Sequence, residues 1–444
     1  MSPVTSAGKR AVMRIRILTA VALLAVSFSL HPATDDPFIV HEWGTFTTVQ
    51  GGDGEQIFWM PPGSVDLPEF VYRAQRDGDW SSKAVNPKDI NALVRMETPV
   101  IYFYSQRERV ADVRVIFRGG NLTEWYPQGT RIEAQWKPMT PAAPHTRQFT
   151  IEWNRIKVLA RDTQEISLAD LIRDPRQGRG DHYYVARETD ANFLRVASLD
   201  ARTPIEFERD LFYRGLGFFQ APLTVSMDSA GLLSVAARDE QRIAGMFLVE
   251  VRGDSMRYQK LGFEASSVAM SVDPNTQPFG ALGDVRKRAM QDMASALVQQ
   301  GLYEKEARAM VNTWQDHWYE EEGMRVLYLL PRAWTDRTLE LQVKPQPDNV
   351  VRVMVGRAEL ITPAVERQLR QQILTFHTGD AKAKSRAVAE VRALHLGRFL
   401  QAAMTKITRG ETDRQAHRSA WDLWGAATTE QVASAREDGR SARN

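Results

Sequence analysis

The sequence predicts an α+β protein in which a large N-terminal β-sandwich-like region is followed by a helix pair with a small sheet and by a helical C-terminal tail. Three observations carry this. From Pro37 to about Phe263, short runs rich in Val, Ile, Phe, Tyr and Trp alternate with Gly, Pro, Asn and Asp clusters, the spacing of strands and turns. From Asp284 the apolar residues switch to intervals of three and four, the period of a helix with one buried face. Beyond Pro363 the helical period resumes, with the proline suited to a first helical turn.

Taken in order, Lys9, Arg10, Arg14 and Arg16 precede "ILTAVALLAVSFSL" (17–30), so residues 1–33 read as an export signal cut after Ser29 or near Ala33. The run is too short for a membrane span, and no later segment holds the roughly 20 apolar residues needed to cross a bilayer. Without the four basic residues of the signal, 53 Lys and Arg stand against 55 Asp and Glu, so the net charge of +2 falls to −2. That removes the general electrostatic case for a nucleic-acid partner. With 43% hydrophobic and 25% charged residues, the chain has the composition of an ordinary globular protein.

Residues 34–265 read as the sandwich-like domain. "IVHEWGTFTTV", "PVIYFY", "DVRVIF", "QFTIEW" and "HYYVA" have strand character, while "TVSMDSAGLLSVAA" and "MFLVEVRGDSMRYQ" read as hairpins turning at Asp228 to Gly231 and at Gly253 and Asp254. Residues 266–362 read as an α/β region. Its two helices are "DVRKRAMQDMASALVQQG", capped by Asp284, and "EKEARAMVNTWQDHWYEEEG", and its strands are "MRVLYLLP", "TLELQVK" and "VVRVMVGRAEL". Residues 363–425 form the helical tail. Residues 426–444 have little to bury and are expected to be disordered.

The chemistry begins at "HEWGTF". Successive strand residues face opposite ways, so His41 joins Ile39, Trp43 and Val49 on one face while Glu42 joins Val40 and Phe46 on the other. The two are therefore not one catalytic dyad unless Gly44 marks a bulge. A functional reading makes His41 a ligand or base; the bland one makes it a core-edge histidine and Trp43 a packing residue. The helical HExxH zinc pattern is absent, because Phe46 stands four residues after Glu42.

In "DHYYVARETDANF", His182, Glu188 and Asp190 lie close together, with Arg187 placed to neutralise one carboxylate. If the fold brings His182 to His41, the pair would ligate a divalent metal such as zinc, with Glu42 as the base for metal-assisted hydrolysis; otherwise the segment is a solvated loop. His317 and Glu321 share a helix face. Arg214 in "LFYRGLGFF" requires an acid, Glu188 or Asp190, or an anionic ligand. Glu97, Glu124, Trp136 and Trp153 are the material of a sugar-binding groove, or of a packed core. No nucleophile elbow, P-loop or dinucleotide-binding glycine pattern is present, and there is no cysteine.

"HEWGTFT", "ETPVIYFY", "FYRGLG" and "EEGMRVLYLLP" together resemble a family of uncharacterised exported bacterial proteins, over much of residues 38 to 360. The resemblance implies export and supplies no activity. The leading expectation is a periplasmic or secreted protein with a metal-dependent hydrolase or ligand-binding site on the β-domain: Glu42 catalytic, His41 and His182 on the metal, and Trp43, Glu124 and Arg214 on the substrate. The competing one is a non-catalytic protein that binds a glycan, another small molecule or an envelope protein through its aromatic faces.

Overall fold

The chain folds as a mixed α+β structure with large sheets, seen in a computed structural model that describes residues 36–60, 67–74, 91–133, 148–173, 181–197, 205–238, 242–262, 269–409 and 412–441. The export signal and Trp136 lie outside the described residues. Ile39–Gly51 sits in the middle of a ten-stranded sheet, parallel to Asn349–Ile361 on one side and antiparallel to Val94–Tyr104 on the other. Both of its faces are covered, which is why "IVHEWGTFTTV" mixes apolar and polar residues without a wet side.

One face of this sheet packs on a six-stranded sheet. Phe46, Met96 and Ile101 share a core there with Val115, Ile151 and Trp153. On the other face lie the helices Leu282–Gln299 and Glu304–Tyr319, which bring Met293, Met310 and Trp314 against Trp43, Tyr102 and Val353. A third core joins Val49, Trp59 and Ile361 to Leu369, Met404 and Leu423 of the helical tail. Among the described residues no helix is long and apolar enough to cross a membrane.

Several expectations are corrected. The boundary at 265 is not a structural one: Gly323–Leu329 and Asn349–Ile361 complete the sheet begun by the N-terminal strands, and all the described residues fall in one unit, Asp36–Asn444. The three strands expected to form a small separate sheet in 266–362 are instead divided, two in the ten-stranded sheet and Leu339–Lys344 against Arg109–Arg118 in the six-stranded one, where they gain more burial. "HYYVA" lies in the short helix Asp181–Val185, where its aromatic residues pack rather than alternate. The helix after Ala281 starts two residues before Asp284, which sits in the first turn as a favourable acid instead of a cap. At the C-terminus the helix Arg414–Ser441 runs through the stretch expected to be disordered, consistent with its Ala, Glu, Gln and Arg content. Both hairpins form with the expected turns.

Candidate functional site

The strand period separates His41 from Glu42 as expected. Glu42, with no exposed surface, accepts from the Tyr213 hydroxyl and from Arg352 Nε at 2.5 Å. Arg352 stands directly across in the parallel register, and its other nitrogens reach Asp336 at 2.7 Å and the Leu339 carbonyl at 2.6 Å. Burial alone would weaken the Arg352 cation, but the Glu42 carboxylate more than offsets this and holds its pKa above the ordinary value. Glu42 is thus a walled-in half of an ion pair, and its expected role as a catalytic base does not fit this position.

His41 faces the helices. Its Nδ1 lies 2.7 Å from Glu306 Oε2, and its ring lies tilted against Tyr303 at 4.6 Å and Tyr104 at 5.2 Å. Glu306 also accepts from Tyr104 Oη at 2.7 Å and, as the third residue of Glu304–Tyr319, from the backbone N–H of Tyr303 at 2.8 Å. This is the helix-start arrangement in which a glutamate ties back to the capping residue. The position of Glu306 three residues after Tyr303 is a local sequence signal, but only the fold shows that the oxygen tied back to Tyr303, Oε2, is shared with His41 while Oε1 takes the Tyr104 hydroxyl.

His182 lies elsewhere. Its ring is 6.2 Å from Trp314, whereas His41 meets the same helix at Glu306, eight residues earlier and about 12 Å along the axis. The two histidines therefore do not share an ion. Among the described residues, no three His, Asp or Glu side chains gather in a way that could hold a metal.

The sheet is most irregular opposite Gly44. Trp43 pairs with Val100 but Thr45 with Glu97, so the extra residue belongs to the facing strand, at Thr98–Pro99. The register also slips between Phe212 and Gly215, and between Arg214 and Gly215 on the next strand. Three neighbouring pairings thus break at one level, the kind of local distortion by which sheets re-aim side chains at functional sites. Thr98 takes φ of 50°, unfavourable for a branched side chain.

Around this pucker charges collect, some buried and some half-buried. Glu97 is 3.0 Å from Arg398 and 3.3 Å from Arg95, and Arg214 lies close enough to act on it. Glu321 is 2.6 Å from Arg357, 3.2 Å from Arg398 and 3.4 Å from His317 Nδ1. Arg325 binds Glu359 at 2.9 Å and donates to the carbonyls of Trp318, Glu321 and Glu322, closing the end of Glu304–Tyr319. A pocket of about 250 Å³ opens onto Glu321 and Arg398.

The potential here is positive. Burial pushes the Glu97 carboxyl up, yet Arg398 and Arg95 bring it below its ordinary value. Burial likewise raises Glu321, and Arg357 and Arg398 more than offset it, leaving it at about 2. His317 is held down by burial and by Arg398, against Glu321 and Glu97. All three shifts favour deprotonated side chains in the folded state, so stability should fall as the pH drops: first below about 6.5, where an unfolded His317 gains a proton, then below about 4.5 for the two carboxyls, the Glu321 part ending at about 2. The Glu321 part is at most about 3 kcal/mol. Urea unfolding from pH 7 to pH 3 checks this, with Glu321→Gln expected to flatten the acidic limb; an unchanged profile in that variant contradicts the assignment.

Three buried donors around this region have no hydrogen-bond partner among the described residues: Trp43 Nε1, Thr98 Oγ1 and Trp314 Nε1. Trp43 and Thr98 flank the pucker, and Trp314 sits 5.6 Å from His317. Buried donors of this kind ordinarily find an acceptor.

The remaining candidates sort as follows. Arg214 stands beside Glu97 and across from Glu124, not with Glu188 or Asp190. Asp190 binds Lys305 at 2.6 Å, and Arg187 binds Glu208. Glu97, Glu124 and Trp153 do not form an open groove: all three are buried, with Trp153 Nε1 donating to the Pro127 carbonyl. Arg95, Arg357, Arg398 and Thr98 were missed by the sequence reading. Pro99 inside an apolar strand run was the available signal, because proline there marks an edge or a bulge.

No protein-family model matches the chain, and comparison with curated protein sequences gives no match.

Proposed function

We propose that the chain is an exported protein, periplasmic or secreted, that binds a small anionic molecule at the puckered, arginine-rich face of its large sheet. The observation that carries this is the set of orphaned donors, Trp43 Nε1, Thr98 Oγ1 and Trp314 Nε1, in a region positive enough to depress the pKa of the buried Glu97 and the half-buried Glu321. Donors without acceptors and arginines in excess around the pucker suit a compact carboxylate or phosphate, and Arg398 links this region to a pocket of about 250 Å³ that Glu321, Glu322 and His395 also line. The basic segment and apolar run at 9–30 support export. Packing of the ten-stranded on the six-stranded sheet supports a sandwich-like layering, with the site on the helix-covered side.

A hydrolytic reading rests on His317. Burial and Arg398 keep it neutral, and Glu321 beside it would orient the ring as a base. Calorimetric titration of the purified protein with orthophosphate, succinate, glutamate and phosphoserine tests binding, and product analysis of the same mixtures tests turnover. Arg398→Ala should weaken the bound anion by roughly ten- to a hundredfold, the worth of one charge-assisted hydrogen bond. If none of these anions binds, none is carried through purification, and Arg398→Ala changes nothing, the reading is wrong. Cell fractionation that leaves an uncut chain in the cytoplasm would remove the export part.

A further inference from the structure

We propose that a second pocket, at the opposite end of the Glu304–Tyr319 helix, binds a neutral saccharide, with Tyr303 as the platform on which a sugar ring lies. This pocket, of about 450 Å³, is lined by Tyr104, Gln106, Arg161, Asp190, Tyr303 and Lys305 among others. It lies eleven residues and about 16 Å along the helix from His317, so it does not depend on the anion site.

Tyr303 is 43% exposed, yet it is not a loose surface ring. Its ring is backed by His41 at 4.6 Å and met edge-on by Tyr104 at 4.9 Å, and its own backbone N–H is held by Glu306. Glu306 has no exposed surface and is bonded to His41, Tyr104 and Tyr303 together, so the platform is fixed before anything binds. An aromatic ring pinned on one side and open on the other is what an apolar sugar face stacks against.

The rim selects the ligand class. Lys305 and Asp190 pair at 2.6 Å, and Arg161 lies near enough to Tyr303 to act on its hydroxyl. The two cations are balanced by Asp190 and the buried Glu306, so no net charge calls for an ionic ligand. Instead the rim mixes donors (Lys305, Arg161) and an acceptor (Asp190) with the Gln106 side-chain amide, which is both, the pattern that ring hydroxyls, each both donor and acceptor, can satisfy. The buried His41–Glu306 pair then has a role that its enclosure would otherwise leave unexplained: it aligns Tyr303.

The test is titration of the full mature chain with chitotriose, cellotriose and maltotriose, followed by calorimetry and ligand-observed NMR. At least one should bind, and Tyr303→Ala should weaken it by roughly tenfold or more while Tyr303→Trp retains it. Asp190→Asn, at an exposed position that leaves the aromatic packing intact, should weaken the same sugar with an unchanged melting temperature. The proposal is overturned if none of the three sugars binds, if both Tyr303→Ala and Asp190→Asn bind as well as the parent, or if adenosine displaces the sugar's signals by occupying the same ring more tightly.

Discussion

Replacing Arg352 with methionine should cost about 3–5 kcal/mol of unfolding free energy, one of the two largest effects expected in this molecule. The change leaves Glu42 without exposed surface and, among the described residues, with the Tyr213 hydroxyl as its one remaining side-chain partner. Glu42→Leu should cost less, because Arg352 keeps Asp336 and the Leu339 carbonyl and through them a path to water. The double variant should recover most of the loss, since replacing both halves of a buried pair with apolar groups removes the stranded charge along with the attraction. Urea unfolding of the four proteins gives the coupling directly. Two singles within about 1 kcal/mol of the parent would show that the pair is not enclosed as described. The same double variant separates structure from chemistry: if Glu42 is only a strut, the folded double variant binds its anion as the parent does.

The separation of His41 from Glu42 was legible from strand period alone, because side-chain alternation is a local property. Their partners were not. Arg352 is 310 residues from Glu42, Glu306 is 265 from His41, and Arg398 is 301 from Glu97. Apolar periodicity says which face a residue turns to, not which distant strand or helix covers it. The parallel pairing of Ile39–Gly51 with Asn349–Ile361 shows this most clearly, since both runs were read as strands and nothing in either named the other. Once that pairing is absent from the reading, a spurious domain boundary at 265 follows. Hairpins fared better because their turns encode both the pairing and its register within a dozen residues. His41 and His182 lie apart for the same reason: motif-like surroundings carry no constraint that two distant histidines meet.

Gly44→Ala should be the other large effect, and it should act on both stability and binding. A Cβ at this position would stand 2.8 Å from Pro99 Cα and 3.0 Å from Pro99 N, closer than side chains approach backbone. Because the obstruction is main chain, rotamer changes cannot relieve it, so Ile39–Gly51 and Val94–Tyr104 must move apart. Overpacking of this kind costs about 1–3 kcal/mol, and here the upper end is expected, since the shift also disturbs the slipped pairing with Leu211–Gly217. The sequence marks Gly44 as a permissive place for a bulge; the structure assigns the extra residue to Thr98–Pro99 and gives Gly44 the part of making room for it. That difference is measurable. Pro99→Ala removes only the ring carbon at 3.1 Å and should restore little of what Gly44→Ala loses. Restoration by Pro99→Ala would mean that the ring, not the backbone, sets the spacing. If the pucker positions Thr98, and through Glu97 also Arg398, for the anion, Gly44→Ala should also weaken binding by more than its folded fraction accounts for, a comparison made by titrating at a temperature where the variant remains native. Equal affinity in a destabilised but folded variant would leave the pucker a packing feature and detach it from the site.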